Sequence, residues 1–354
     1  MLDWPRILKE SPIDWLLEET NPSVRYFTLR DILDRSKDDA ELVAAKHAIR
    51  ESQVVKKILG KQNPKGYWED PTSPYHPKYK STYWQVMTLG LLGMDKSDQR
   101  ARKACEYVFQ LQSSEGAFSS WTLEQGLEEY KFALKKGKRL PSPKDYVVSL
   151  IHEHQYSCLT GNMAAALIRI GYAEDPRVKR ALEWLAKIQN KDGGWLCPYW
   201  RAHVRDKHGC FFGTICPLEA FSEVQEQSLT GEMRKTIKKG AEFLLMHRLF
   251  KADHHNYEVI SKHWLTLSFP TFCSYNIPRG LDVITKLGYV RGARLNDAVE
   301  VLLRKRQNNG TWILENTPTG RMQTNIETKG KPSKWITLIA LRVLKRLGSA
   351  GIKS

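Results

Sequence analysis

Gln189-Asn-Lys-Asp-Gly-Gly-Trp195 is the stretch that decides the fold. An amphipathic helix pattern runs into it: in Ala181–Gln189 (ALEWLAKIQ), Leu182, Leu185 and Ile188 recur at helical spacing. Asp175-Pro176 supplies the start signal, with proline near the first turn. At the other end the glutamine amide can satisfy backbone groups that a helix terminus leaves unpaired. The tryptophan can pack across the joint onto a neighbouring repeat. Gln189 and Trp195 therefore read as scaffold.

The same form, a helix pattern followed by glutamine, a Gly-containing turn and an aromatic, recurs at Gln62–Trp68, Gln112–Phe118 and Gln307–Trp312. The glutamines are spaced by 50, 77 and 118 residues. The last gap holds two units of about 59, one degenerate at Gly240–Leu249, where glutamine and turn are lost. The 77-residue gap holds an insertion over 121–153, with its own amphipathic pattern and a KKGKRLPSPK loop at Lys135–Lys144. Residues 1–40 form a helical lead-in. After each turn comes a more apolar helix, predicted at Ser81–Gly93, Cys158–Gly171, Phe211–Val224, Cys273–Gly288 and Ser333–Gly348, four of them ending in glycine as helix C-caps prefer. Helices apolar on most faces are buried. Outer amphipathic and inner apolar helices in pairs predict an all-α fold, a single α/α toroid over 1–354, and stacked repeats explain how so long a chain builds one core.

The chain has 354 residues, 41% apolar and 27% charged, which is ordinary globular composition. No stretch approaches the ~20 apolar residues of a membrane span, and Met1–Glu10 lacks the pattern of a signal peptide, so a cytoplasmic location is expected. In that setting the six cysteines read as thiols or metal ligands before disulfides, and Cys105, inside a helix pattern, reads as core. The net charge is +16, and half of that excess, 12 Lys/Arg against 4 Asp/Glu, lies in Arg294–Ser354. Such charge favours an anionic substrate or a peripheral membrane contact. No nucleic-acid module accompanies it, so nucleic acid is not expected.

The Gln-x3-Gly-x-Trp turns resemble the repeats of squalene and oxidosqualene cyclases and of protein prenyltransferase β subunits, over roughly 54–347. More narrowly the chain resembles a group of prokaryotic squalene-cyclase-like proteins of unsettled function, in Asn21–Leu33 (NPSVRYFTLRDIL), Cys158–Asn162 (CLTGN) and Gly330–Lys345 (GKPSKWITLIALRVLK). The resemblance implies a toroid with a central cavity for a prenyl or polyprenyl chain. The chain departs from the family in three ways. The Asp-x-Asp-Asp acid motif is missing, the nearest carboxylate pair being Asp38-Asp39. The length is about half that of a two-domain triterpene cyclase. A prenyltransferase would need a partner subunit.

Inner helices of a toroid gather their N-termini at one mouth, where exposed N–H groups favour anions. Seven of the ten histidines fall in the loops before these helices, together with Cys158, Cys210 and Cys273. His and Cys are the usual zinc ligands. His208-Gly-Cys210 resembles the Asp-x-Cys of prenyltransferase zinc sites, and His154-x3-Cys158 resembles their second ligand loop, so zinc is expected on His154, Cys158, His208, Cys210 and Cys273. Trp200, Arg201, Arg205 and Lys207, with Lys80 in another repeat, form a basic set for an anionic head group. Trp84, Phe211, Trp264, Tyr275 and Trp335 are candidate walls for an isoprenoid and its cations. His203, Asp206 and Asp253 are the candidate acids and bases. An isoprenoid cyclase or transferase is the first expectation. A carbohydrate-active toroid such as a polysaccharide lyase or glycoside hydrolase, using His203, His208, Tyr257 and Tyr275, is the second. A non-catalytic scaffold is the third.

Overall fold

The computed structural model describes residues 4–196, 207–318 and 320–349. In chain order the helices are α1 (Trp4–Lys9), α2 (Ile13–Leu16), α3 (Pro22–Asp31), α4 (Ala40–Ala48), α5 (Gln53–Gly60), α6 (Thr82–Leu91), α7 (Gln99–Phe109), α8 (Leu123–Lys135), α9 (Pro143–Glu153), α10 (Ser157–Leu167) and α11 (Pro176–Lys187). Then come α12 (Phe211–Ser222), α13 (Gly231–Met246), α14 (Ile277–Lys286), α15 (Asn296–Arg304) and α16 (Lys334–Ser349). The paired strands β1 (Lys251–Ala252) and β2 (Glu258–Val259) are the only named strands among the described residues. The chain is thus all-α, as its periodicity predicts. It divides into two compact units: residues 57–236 with 321–323, and residues 1–56, 237–320 and 324–354.

The Gln-to-aromatic turns set the repeat in the 57–236 unit. Gln62 Nε2 donates to the Gly66 carbonyl at 3.2 Å and to the Arg100 carbonyl at 3.0 Å. Gln112 does the same to Gly116 (2.8 Å) and Arg177 (2.9 Å), and Gln189 to Gly193 (2.8 Å) and Thr236 (2.9 Å). Each amide therefore closes its own turn and ties it to the next outer helix: α7, α11 and α13 in succession. Gly66 sits at φ 104, and a Cβ there would come within 2.6 Å of the Lys103 carbonyl, so only glycine admits this approach. The aromatic closes the other side. Trp68 and Trp195 each donate the indole N–H ten residues back, to the Ile58 and Leu185 carbonyls, both at 2.8 Å.

A third bond was not foreseen from the sequence. The backbone N–H of the aromatic donates to a threonine Oγ1 in the first turns of the following inner helix: Trp68 to Thr82 and Phe118 to Thr160, both at 3.0 Å, and Trp195 to Thr214 at 3.1 Å. All three threonines are buried. Inner helices α6, α10 and α12 then pack backbone to backbone. Gly90 of α6 lies against Ala166, and a Cβ on Gly161 of α10 would come within 2.5 Å of the Cys216–Pro217 peptide of α12. Cys105 is buried in α7, as expected. Gly93 and Gly171 end their helices at φ 83 and 107.

The other unit repeats the joint once. Trp312 donates its indole N–H to Leu302 at 2.7 Å and its backbone N–H to Thr337 at 3.1 Å. Here Gln307 donates to Lys305 at 3.2 Å instead of across the turn. Asn276 caps α14 by accepting from the Arg279 N–H at 3.0 Å, which starts that helix at Ile277 rather than Cys273. Gly348 was expected as a C-cap, but it lies inside α16, while Gly288 does end α14, at φ 90. Residues 1–40 are more than a lead-in: Leu16, Val24, Leu29 and Ile32 are buried in the unit's core. Glu18 pairs with Lys334 (2.7 Å), Asp31 with Arg342 (2.5 Å) and Asp34 with Lys345 (2.5 Å).

Candidate functional site

The sequence places its candidates where inner helices begin. In the unit spanning 1–56, 237–320 and 324–354, the loop ahead of α14 brings Phe269 flat onto Trp335 at the start of α16, with ring centroids 4.7 Å apart and planes 12° from parallel. Phe27 of α3 meets the same indole edge-on at 5.9 Å. Trp264 and Tyr275 form a second edge-to-face pair at 5.1 Å. All of these rings except Phe27 are at least nine-tenths buried. Burial of an indole normally requires a partner for its N–H, yet Trp335 Nε1 is buried with no hydrogen-bond partner among the described residues.

Glu327 stands beside this cluster and was not singled out from sequence. Its Oε2 accepts from Ser333 Oγ at 2.5 Å and its Oε1 from the Trp335 backbone N–H at 3.3 Å. Burial raises the Glu327 carboxyl above the usual range, against the lowering effect of these hydrogen bonds and of Lys334. Such an upward shift keeps a carboxyl protonated to higher pH than usual, which suits a proton donor. The only sequence signal for it is its place six residues ahead of Ser333, in a loop rich in lysine and glycine.

Asp253, a predicted acid, lies in the β1–β2 hairpin after α13 and not at an inner-helix start. Its carboxylate faces His247 Nε2 at 3.5 Å and His254 Nε2 at 3.3 Å. His247 is buried, and its Nδ1 lies 3.0 Å from the Phe243 carbonyl. Tyr275 is fixed by donating its hydroxyl to the Leu249 carbonyl at 2.6 Å, and burial pushes the phenol up. Arg279, also missed, is buried in the first turn of α14 and donates to the carbonyls of Phe272 and, at 2.8 Å, Ser274.

In the 57–236 unit, Trp84 is buried between Tyr75 and Tyr79, at 5.2 and 5.0 Å, and donates its indole N–H to the Tyr75 carbonyl at 2.8 Å. Lys80 is half-buried in the same turn, and its carbonyl accepts from Gln323 at 2.9 Å. His154 lies between Trp121 and Tyr156, at 5.6 and 5.8 Å, with Nδ1 2.7 Å from the Leu150 carbonyl. Cys158 follows in the first turn of α10, half-buried. Cys210 is the N-cap of α12: its Sγ accepts from the Gly213 N–H at 3.1 Å. Phe211 is buried behind it. His208 Nδ1 lies 3.4 Å from Asp192 Oδ2. Lys207 is exposed at φ 51. Trp200, Arg201, His203, Arg205 and Asp206 lie outside the described residues.

The expected zinc ligands are therefore spread over both units, with Cys273 in the one that contains α14. Among the described residues no group of three or more His, Cys, Asp or Glu side chains could hold a metal ion. No described helix is long and apolar enough to cross a membrane.

No family model matches the chain, and no curated protein matches it in sequence. Solved structures do resemble it. One is a protein from Actinoplanes, 14% identical, TM-score 0.42, over 94% of this chain and 89% of that one. Another is the type II terpene cyclase MstE from Scytonema, 14% identical, TM-score 0.43, over 94% and 89%. A variant of that cyclase in complex with the product merosterolic acid A is 13% identical, TM-score 0.44, over 95% and 98%.

Proposed function

We propose that this chain is a cyclase-like enzyme acting on a prenyl chain. One observation supports it: in the loop ahead of α16 the Glu327 carboxyl, shifted upward by burial, accepts from the backbone N–H of Trp335, whose buried indole stacks on Phe269. Glu327 gives its proton to one carbon of a substrate C=C bond. The π electrons form the new C–H bond and leave a tertiary cation on the other carbon. A second C=C bond of the chain attacks that cation and closes a ring, and loss of a proton to water ends the sequence. The faces of Trp335 and Phe269 stabilise the passing positive charge. The assignment of Lys80, Arg201, Arg205 and Lys207 to an anionic head group is a separate proposal, which the Glu327 chemistry does not use.

The test incubates the chain with farnesyl and geranylgeranyl diphosphates and with the corresponding alcohols, and analyses extracts by mass spectrometry. Cyclised product from wild type, lost by ~100-fold or more in Glu327→Gln while the ligand-induced rise in melting temperature persists, is the expected result. Equal turnover by Glu327→Gln, or no ligand-induced rise for any of the four compounds, overturns it.

A further inference from the structure

The chain leaves α13 through a strained stretch. Arg248 and Leu249 sit at φ 44 and 69, and Asn256 and Tyr257, at the tip between β1 and β2, at φ 49 and 58. Bulky side chains rarely adopt this left-handed region, and they stay there only where their surroundings hold them. The hairpin's own ladder is too short to do so: Lys251 pairs with Val259 and Ala252 with Glu258, and residues 254–260 are exposed. Side chains fasten it instead. Arg248 Cζ lies 3.9 Å from the centre of the Tyr257 ring, Lys251 Nζ and Arg248 Nη1 reach Asp297 of α15 at 2.7 and 3.3 Å, and the Tyr275 hydroxyl holds the Leu249 carbonyl.

A further fastener is buried. The Asp253 side chain is 12% exposed and meets that of His247, 8% exposed, just past the end of α13. A carbonyl can only accept, so the contact of Nδ1 with the Phe243 carbonyl places a proton on that nitrogen. In a neutral imidazole Nε2 is then bare, and its lone pair would face the Asp253 carboxylate at 3.5 Å inside a buried contact. The conflict disappears when Nε2 carries a proton too. An imidazole, with an ordinary value of about 6.5, holds that proton in preference to a carboxylate, with one of about 3.9.

The groups around the ring fit a cation there. From α13 it meets the Phe243 ring, with centroids 4.9 Å apart. From the hairpin it meets Asp253, and on the solvent side of that carboxylate stands His254, with Nε2 3.3 Å from Oδ2. The cations next along the chain, Lys251 and Arg248, are turned to Asp297 of α15, whose carboxyl they hold below the usual range. The Lys251 N–H donates to the His247 carbonyl at 2.7 Å, so β1 starts from the same residue that receives Asp253.

We infer that His247 is protonated on both ring nitrogens and that its pairing with Asp253 is a pH-operated clasp on the β1–β2 hairpin, closed while the imidazolium is present and released when Nε2 gives its proton to water. The contact needs that proton, so it is made on the acid side and lost as pH rises. Release lets the strained backbone relax and loosens the loop after β2, which carries Trp264 and Phe269. The inference does not depend on the reaction proposed above.

The experiment follows hydrogen exchange of the whole chain by mass spectrometry from about pH 5.5 to 8.5, on either side of the ordinary imidazole value, with rates corrected for the intrinsic effect of pH. In wild type the peptides spanning 248–260 are expected to lose protection at least ~10-fold across that range, while peptides from α10 and α12 keep theirs. Asp253→Asn, whose amide can meet either form of the ring, is expected to flatten this response. His254→Gln, changed on the exposed side, is expected to retain it. In magnetic resonance spectra of isotope-labelled histidines, with His247 assigned by its absence from His247→Gln, both ring nitrogens are expected to be protonated at about pH 6. Wild-type protection that does not change with pH overturns the inference, as does a full response in Asp253→Asn or its loss in His254→Gln. A wild-type His247 ring that is bare at Nε2 throughout the range overturns it without recourse to a variant.

Discussion

Glu327 shows how one side chain can be set by opposing forces. Two hydrogen-bond donors and the neighbouring Lys334 favour its anion, and burial outweighs them. Between the ordinary carboxyl value of 4.5 and the raised folded value, the native state binds more protons than the unfolded state. Stability from this group is therefore highest in acid and falls as pH rises through that window. Thermal melts from pH 4 upward should show wild type losing stability relative to Glu327→Gln. A difference between the two proteins that does not change with pH would mean that the carboxyl titrates normally. The opposite case is Asp31, where burial alone would raise the carboxyl but Arg342 and Arg30 bring it to about 2. Neither residue carries a mark in the sequence. Glu327 is one acid in a lysine-rich loop, and its environment is built from Ser333, Trp335 and the loop that returns Phe269, which only the folded chain brings together.

At the scale of the element, legibility follows local physics. The inner and outer helices were readable because apolar spacing and Asp or Asn caps are local. The Gln, Gly and aromatic positions were readable as scaffold because they repeat. The Thr82, Thr160, Thr214 and Thr337 partners were not readable, since each lies in an apolar helix at a varying distance from its aromatic. Nor was the ion cluster that locks α10 to α12. Arg169, in the wider turn that extends α10, donates to Glu219 at 2.5 Å and to Glu223 at 2.7 Å. Burial would lower its pKa, but Glu223 and Glu219 together push it above the ordinary arginine value. Arg169 and Glu223 are half-buried and Glu219 is buried, so removing the arginine leaves carboxylate charge uncompensated. Arg169→Met should therefore destabilise the chain by about 3–5 kcal/mol in denaturant melts, with part of the loss recovered in Arg169→Met/Glu219→Gln/Glu223→Gln. A loss under ~1 kcal/mol would mean that the cluster is solvated like a surface pair.

For the molecule as a whole, the N-terminal helices matter most. Residues 1–40 read from the sequence as a helical lead-in. The structure makes them part of a core, with Leu16, Val24 and Leu29 fully buried and Phe27 set against Trp335. Arg306 Nη2 also reaches the Glu10 carbonyl at 3.0 Å, next to the last turn of the repeat series. Deleting residues 1–33 should therefore strip the apolar face from α16 and yield insoluble or molten protein. Gel filtration and near-ultraviolet circular dichroism read this directly. A truncated chain that stays monomeric with wild-type tertiary signal would return the segment to the status of an appendage. The expected zinc ligands were chosen by residue type alone, and spacing along the chain does not say which thiol will cap a helix, as Cys210 does.

The aromatic-to-threonine bond spans 14, 42, 19 and 25 residues in its four occurrences, yet its length stays at 3.0 or 3.1 Å. Both ends of every intervening loop are thus pinned at a constant separation, whatever the loop contains. Each such interval is a socket into which foreign segments can be spliced without disturbing the frame. The α8–α9 hairpin already occupies one of these sockets.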